Sequence, residues 1–475
     1  MKVGNDTVQI DPAVLFLRCT ALAERLNTEI AMFFAYEMTA VPTSLFKGYF
    51  MRKSDKSDLA HALQKLVKNH YNDVSHVTAE CIHIIDGGWL LYQLKWTSNM
   101  KYQELAENYS SFVMRNYGPS CIVFDGYDTA NIKDHEHLRR SGKKAPDITI
   151  NGIEAVYPNR DAFLMNDTNK SYFIKYIASF MRTNGHKIVE STGDADVEIV
   201  ATAIRYAREQ QPVSVVAEDT DIFILLLHHF SDQFAEIYLQ KENRSSKTKS
   251  GELYRMSECS QSIDPSVREH IIFIHSWSGT DTTSFTYGHG KIQLLKKISG
   301  NEVIVNAAVL EDDDATATAV GNAGISIFCN LYGGEMGESL TALRYRKYNE
   351  LIANNKTIQP ERLPPTERAA YHHSLRVHLQ VMRWIHLDNS KLNALEWGWK
   401  LDRGLLRPVM TDAAPAPDDI LKFIKCNCKA LNNLCGSYQC SCRKNGMKCV
   451  PACGICHGLS CSNRGDDVTA EDDDI

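Results

Sequence analysis

Seven aspartates, Asp86, Asp125, Asp194, Asp196, Asp219, Asp221 and Asp281, are placed where they could act together on one reaction. Asp86 ends the apolar run Ile82–Ile85, and Asp125 ends Cys121–Phe124. Val213–Ala217 runs into Glu218-Asp219-Thr220-Asp221, and a second apolar run, Ile222–Leu227, follows at once. Asp281 closes a fourth apolar stretch, which begins at His270 and passes through Gly279-Thr280. Asp194 and Asp196 flank Ala195 at the expected start of a helix. Any one of these residues alone reads as a turn or a helix cap, where exposed N–H groups favour a carboxylate. As a set they read differently. The carboxyl ends of parallel strands share one edge, and open α/β sheets place their sites there. Two unit charges 4 Å apart repel by roughly 4 kcal/mol at an effective dielectric near 20, so such a cluster needs cations or protons. Oxygen-only ligation selects hard ions, Mg2+ or Mn2+, rather than Zn2+. Two such ions, about 3.5–4 Å apart, suit the hydrolysis of a phosphodiester.

The elements that must position these residues follow from the apolar pattern. Val213–Ala217 and Ile222–Leu227 both read as buried strands of a parallel sheet, with the acids between them. Short strands are expected at Ile82–Ile85, Cys121–Phe124, Lys187–Glu190 and Glu236–Leu239. Helices are expected after Asp86, carrying Trp89 and Tyr92, and after Asp125, carrying Lys133, Arg139 and Arg140. Further helices are expected at Tyr172–Arg182, at about Val197 to Glu209, and from Lys291. The stretch at His270 reads as an apolar strand or a buried helix. Leu15–Tyr36 and the segment after Ser57-Asp58 have helical spacing. Pro364-Pro365 opens a helix to Trp384, and Trp397-Gly398-Trp399 reads as packing.

Composition bounds the rest. The chain has 475 residues and a formal net charge of −6, from 58 acidic and 52 basic residues. No global basic footprint exists, so contact with nucleic acid must come from local patches. No apolar run reaches membrane-spanning length, and MKVGNDTVQIDP has no signal pattern. An intracellular protein with reduced thiols and no membrane partner is expected. Five regions are expected: a helical N-terminal region (1–80), an α/β core carrying the acids (81–300), and a mainly helical region with a linker (301–420). A Cys-rich module (421–464) and an acidic disordered tail (465–475) complete the chain.

Nine of the 14 cysteines fall between Cys426 and Cys461, at Cys426, Cys428, Cys435, Cys440, Cys442, Cys449, Cys453, Cys456 and Cys461. Two Cys-x-Cys pairs and an odd count suit metal better than disulfides. Thiolate-only ligation suits tetrahedral Zn2+. Nine thiolates fill the twelve positions of three Zn2+ if three of them bridge, so two to three structural Zn2+ are expected. Six Lys or Arg and no Asp or Glu lie between Leu421 and Cys461, a local charge that favours phosphate. This stretch, with Cys461-Ser462-Asn463 at its end, resembles the tesmin-type CXC domain. That resemblance implies DNA binding.

The segment from about Ile82 to Ile298 resembles the flap-endonuclease family of PIN-like nucleases. The resemblance rests on Asp86 with Tyr92 six residues later, Val123-Phe124-Asp125-Gly126 followed by Lys133 and Arg140, and Asp194-Ala195-Asp196. Glu218-Asp219-Thr220-Asp221 and Gly279-Thr280-Asp281 with Gly288-His289-Gly290 complete it. It implies a PIN-like parallel-sheet core, with flanking helical regions and the small zinc module. It also implies two Mg2+ or Mn2+ held by the seven aspartates, of which Asp219 and Asp221 belong to the catalytic centre. Lys133 and Arg140 would contact the scissile phosphate, and Tyr92 would stack on a base. Gly288, Gly290 and Lys291 would grip duplex phosphates. The implied activity is a metal-dependent nuclease acting on DNA rather than RNA, in the nucleus. The competing expectation is a non-catalytic DNA-binding or chromatin protein on a PIN-like scaffold. The layout also resembles multi-copy animal proteins derived from mobile elements.

Overall fold

A six-stranded sheet organises the chain: β1 (Ile82–Asp86), β2 (Cys121–Phe124), β3 (Lys187–Glu190), β4 (Val213–Val216), β5 (Ile237–Lys241) and β6 (Glu252–Arg255). Its order is β6-β5-β4-β1-β2-β3. The five strands from β5 to β3 are parallel, and β6 pairs antiparallel at the edge. The computed structural model describes residues 2–3, 6–7, 12–25, 30–55, 57–67, 78–97, 99–126, 144–191, 193–242, 252–298, 301–354, 359–387, 390–417, 421, 424–429 and 434–465. The expected basic helix with Lys133 and Arg140, the loop Ser245–Gly251 and the tail from 466 onward lie outside these residues.

Every residue of β2 and β4 is buried, the pattern of a parallel sheet covered on both faces. Successive side chains alternate between two cores. Ile85, Ile122, Phe124 and Val216 pack with α1 (Tyr102–Tyr117) and α2 (Asp167–Thr183) through Tyr102, Tyr109, Phe173 and Ile177. Ile84, Cys121, Val123, Val213 and Val215 face the other way, toward α3 (Ala195–Arg208) and α4 (Thr220–His229). Phe46, Leu59 and Leu63 from the N-terminal region join this second core. So do residues of α7 (Ala317–Leu331) and α8 (Glu367–Ile385), with Trp397 and Trp399 as packing residues. A third core joins Leu15, Phe16 and Phe34 to Tyr348, Ile424 and Met447. The N-terminal and C-terminal regions therefore pack on the sheet and on each other.

One expected strand is a helix, and one stretch left open between strand and helix is also a helix. Ile222–Leu227 lies within α4, buried along that whole stretch. The stretch after His270 forms α5 (Ile271–Trp277), also wholly buried. An apolar run buried on every side has no periodicity that separates strand from helix. The deciding contact is local: the Asp219 carboxylate accepts the Asp221 N–H at 2.8 Å and caps α4. Asp281 accordingly ends a loop after α5 rather than a strand. The N-terminal region, expected to be helical, also contains a small hairpin, Phe46–Lys47 with Phe50–Met51.

Gly87 shows how tightly β1 is held beside β2. A Cβ there would lie 2.6 Å from the Val123 carbonyl oxygen, backbone that cannot move aside. Gly87→Ala should lower the unfolding free energy by about 1–3 kcal/mol, the usual penalty for overpacking. Urea denaturation of the two proteins checks it, with a lowered midpoint expected.

A candidate carboxylate metal centre and a cysteine cluster

The chain leaves β1 toward β2 and β3 on one side, and β4 toward β5 and β6 on the other. Neighbouring strands whose connections diverge open a crevice at their carboxyl ends. Register sets the residues there level: Ile85 pairs with Val216, and Asp86 pairs with Val123. Asp86 is the last residue of β1, Asp125 follows β2, and Asp219 lies just past β4.

Two helix starts bring further acids to the same place. Asp194 caps α3 by accepting the Asp196 N–H at 3.2 Å, as Asp219 caps α4. In each pair the cap orients the next acid in the first turn. Oxygens of Asp196, Asp219 and Asp221 lie within 4.8 Å of one another. Asp86 joins this group electrostatically. Desolvation raises its pKa to about 7, the charges of Asp125 and Asp219 add to the rise, and N–H groups of Trp89 and Gly88 oppose it. Five of the seven predicted acids are thus coupled around the crevice. All their donors are carboxylate oxygens, so the set fits a hard divalent cation.

The remaining predicted residues divide. Asp194 serves as the cap that aims Asp196. Asp281 pairs with Lys53 at 3.3 Å, and Lys170 approaches Asp125 at 3.9 Å. Tyr92 follows the short helix after Asp86, with an exposed ring lying 4.9 Å from the Arg160 guanidinium. Gly288 and Gly290 precede α6 (Lys291–Ile298), with open space where a Cβ would stand. Lys291 departs from expectation. It is fully buried, with Nζ 2.9 Å from the Gly279 carbonyl oxygen, because α6 turns its first side chain inward beneath the Gly279–Asp281 loop. Its ammonium is not presented to a surface ligand. Lys133 and Arg140 lie outside the described residues.

Sequence reasoning missed three neighbours of these acids, Lys53, Lys170 and His275, and named a fourth, Glu218, only as part of the step with Asp219 and Asp221. Lys53 and Lys170 meet Asp281 and Asp125 across long sequence separations that leave no local signal. Glu218 accepts the Trp89 indole N–H at 3.2 Å. His275 meets Asp221 at 2.8 Å, and its one signal was a histidine inside the apolar run of α5.

All nine cysteines of the C-terminal cluster are free thiols, and all but Cys428 are buried. Three sets of four have sulfurs close enough to share an ion: Cys426, Cys449, Cys453 and Cys456; Cys426, Cys435, Cys440 and Cys449; Cys435, Cys449, Cys456 and Cys461. Cys449 belongs to all three. Cys442 Sγ lies 3.6 Å from Cys453 Sγ, and Cys426 Sγ lies 3.7 and 3.8 Å from Cys435 and Cys449. A tetrahedral centre with metal–sulfur bonds of about 2.3 Å has sulfur–sulfur edges of about 3.8 Å. The donor sets therefore suit a tetrahedral, thiophilic metal. The buried Arg18 guanidinium from the N-terminal helix donates to Cys442 Sγ at 3.0 Å and to the Lys448 carbonyl at 2.6 Å. It places a positive charge against the sulfur cluster.

The proton on Asp86 sets a pH dependence. Below about pH 7 a cation must displace that proton, so binding at the crevice should tighten as pH rises through 7. In the metal-free protein the sign is opposite. The folded-state pKa lies above the unfolded one, so this group's stabilisation is complete below about pH 4 and is lost as pH rises through 7. Mn2+ titration calorimetry at pH 6 and pH 8 should give tighter binding at pH 8, and Asp86→Asn should flatten that difference.

No protein-family model matches this sequence, and no curated protein matches it. Among solved structures, the catalytic core of Rad2 in complex with a DNA substrate aligns at TM-score 0.37 and 12% identity, over 78% of this chain and 97% of that one. Human GEN1 in complex with Holliday junction DNA aligns at 0.30 and 14%, over 74% and 85%. A mutant T5 5′-exonuclease aligns at 0.29 and 11%, over 65% and 100%.

Proposed function

We propose that this protein is a divalent-metal-dependent nuclease with a PIN-like core of the flap-endonuclease type. Its reaction is hydrolysis of phosphodiester bonds, on DNA rather than RNA, and its setting is the nucleus. The observation that carries this reading is the coupling of five carboxylates at the switch point of a parallel sheet. Asp196, Asp219 and Asp221 supply converging oxygens, and Asp86 retains a proton because burial desolvates it and Asp125 and Asp219 crowd it.

Asp86, Asp125, Asp196, Asp219 and Asp221 would hold one or two Mg2+ or Mn2+, with Asp194 aiming Asp196 and Asp281 closing the far wall. Such ions supply Lewis-acid activation of water and neutralise charge on the phosphate. The chain's own cations complete the site. Lys53 and Lys170 stand beside Asp281 and Asp125, where a scissile phosphate would bring negative charge. In this reading Lys133 and Arg140 add to them from the segment after Asp125. The exposed Tyr92 ring, steadied by Arg160, offers a flat surface for a base. Gly288 and Gly290 leave backbone approachable ahead of α6, as contact with duplex phosphates requires.

The nine cysteines would hold two to three Zn2+, giving a CXC-like module whose basic residues add affinity for DNA. This reading is supported by the sulfur spacing and by Arg18 against Cys442.

Two measurements test the proposal. Labelled 5′-flap, single-stranded and duplex DNA, with matching RNAs, should be cut in Mg2+ or Mn2+ and not in EDTA. Asp219→Ala/Asp221→Ala should lower cleavage by two or more orders of magnitude, at roughly 1.4 kcal/mol per order. Tight, salt-sensitive binding with no cutting in either metal would leave a non-catalytic DNA-binding protein. Separately, purified protein should carry two to three Zn2+ by elemental analysis. Their removal under reducing conditions should raise amide hydrogen exchange in Pro12–Arg25, because that helix shares a core with Met447.

A further inference from the structure

Beneath the candidate carboxylate centre lies a buried chain of three ionisable side chains, Asp221, His275 and Lys291. His275 and Lys291 have no exposed surface, and Asp221 is 4% exposed. His275 Nε2 lies 2.8 Å from Asp221 Oδ1, and His275 Nδ1 lies 3.2 Å from Lys291 Nζ. Lys291 Nζ also lies 3.1 Å from the His275 carbonyl oxygen, 2.9 Å from the Gly279 carbonyl oxygen and 3.3 Å from Ser278 Oγ.

We propose that His275 and Lys291 are positioning residues that preset Asp221 as a ligand for the divalent ion. This inference rests on the reading of Asp221 as a metal ligand.

The chemistry of the contacts fixes the direction of each bond. Carbonyl oxygens only accept, so Lys291 donates to His275 and Gly279. An ammonium has no acceptor lone pair, so the ring nitrogen beside it must present one. His275 Nδ1 is therefore the acceptor, and the ring proton sits on Nε2. That N–H donates to Asp221 Oδ1. The tautomer follows from the surrounding network. The ring cannot easily turn away, because it stacks on Trp384 with centroids 5.6 Å apart and planes 21° apart. The Asp221 backbone N–H is held separately by the Asp219 carboxylate. Both ends of Asp221 are thereby oriented before any ion arrives. Outer-shell donors of this kind set ligand geometry and charge in metal sites.

The burial of Lys291 has an electrostatic reason in this arrangement. An ammonium removed from water is unfavourable unless an anion compensates it. Here the compensating anion is the carboxylate at the other end of the imidazole. The same positive charge lies under Asp196, Asp219 and Asp221, whose mutual repulsion it opposes. Lys291 also grips the carbonyl of Gly279, two residues before Asp281. Ser54 from the N-terminal region donates to that same carbonyl at 3.1 Å. One buried lysine thus ties His275, and through it Asp221, to the loop that carries Asp281.

The test uses the full-length protein and Mn2+ alone, measured by titration calorimetry, with metal-free melting curves as the check on folding. His275→Leu should weaken Mn2+ binding roughly ten- to hundred-fold, the usual range for loss of an outer-shell donor. His275→Gln keeps an N–H donor toward Asp221 and should stay within a few-fold of wild type. Lys291→Met, a near-isosteric change without the charge, should weaken binding about tenfold by the same principle. A folded His275→Leu or Lys291→Met protein with wild-type affinity would overturn the inference. So would a Gln variant as weak as the Leu variant. Asp221→Asn separates the two readings. If wild type shows no Mn2+ binding that Asp221→Asn removes, the metal-centre reading itself fails and takes this inference with it. If wild type binds and the positioning variants bind equally, the centre stands and only the positioning role falls.

Discussion

Mutual repulsion among carboxylates is the constraint around which this chain is built. A parallel sheet brings its strand ends to one edge, and here those ends carry Asp86, Asp125 and Asp219. Two helix starts add Asp196 and Asp221 within a few ångströms. At such separations each pair opposes folding by a few kcal/mol unless something answers it. The answers are visible in the structure. Helix N-termini face Asp194 and Asp219, whose caps place them against backbone N–H groups. Lys53 and Lys170 approach Asp281 and Asp125, and Lys291 lies beneath Asp221 behind His275. Asp86, whose burial disfavours its charged form, keeps its proton to about pH 7. An arrangement with this much compensation fits a cation, as the proposed function requires. A silent scaffold would be relieved by replacing any of these acids with a neutral residue.

The N-terminal region is part of that compensation. Arg52 and Ser44 carbonyls accept the Phe285 and Tyr287 N–H groups at 2.7 and 2.9 Å. The Arg52 guanidinium lies 4.8 Å from the Tyr287 ring centre. This segment therefore stitches the loop around Asp281, with Lys53 on the Asp281 carboxylate and Ser54 on the Gly279 carbonyl. The first 80 residues precede the first strand of the sheet, yet they hold the loop that carries Asp281. Phe46, Leu59 and Leu63 of this region pack in the sheet's own core.

Legibility divided along physical lines. Strands β1, β2 and β4 were readable because an apolar run ending in a polar break has few alternatives in an α/β chain. The D-x-D pairs were readable because capping and metal ligation demand the same residue types. Asp196 and Asp221 came out together for that reason. The strand assigned to Ile222–Leu227 failed where periodicity vanishes, in an element buried on all sides. Lys291 was misread because a lysine after Gly-x-Gly has the same sequence appearance whether it points to solvent or inward. Lys53 and Lys170 left no pattern, and His275 only a polar residue in an apolar run, since their partners are tens to hundreds of residues away. Sequence exposes groups whose job is local, and it hides the groups that neutralise them from across the fold.

The two metal-binding candidates are segregated by donor chemistry. The sheet edge offers only oxygen, and the C-terminal cluster offers only sulfur. Hard divalent ions and thiophilic ions are thus sorted by ligand type rather than by affinity, which alone would favour the later transition metals at both. The electrostatics follow the same division. A carboxylate centre that, as proposed, exchanges ions and meets a phosphate would need an open crevice, and Asp86 titrates there near pH 7. The sulfur cluster is closed, as a structural role would require, with eight of nine cysteines buried and Arg18 set against it from the opposite end of the chain. Because Met447 and Ile424 share a core with Leu15 and Phe16, loss of metal from the sulfur cluster would be felt first by the N-terminal helix. That helix shares its core with Phe34 and Met38, and the chain runs on from them to the segment that carries Lys53. The closed site can therefore support the open one through packing, without any contact between their ligands.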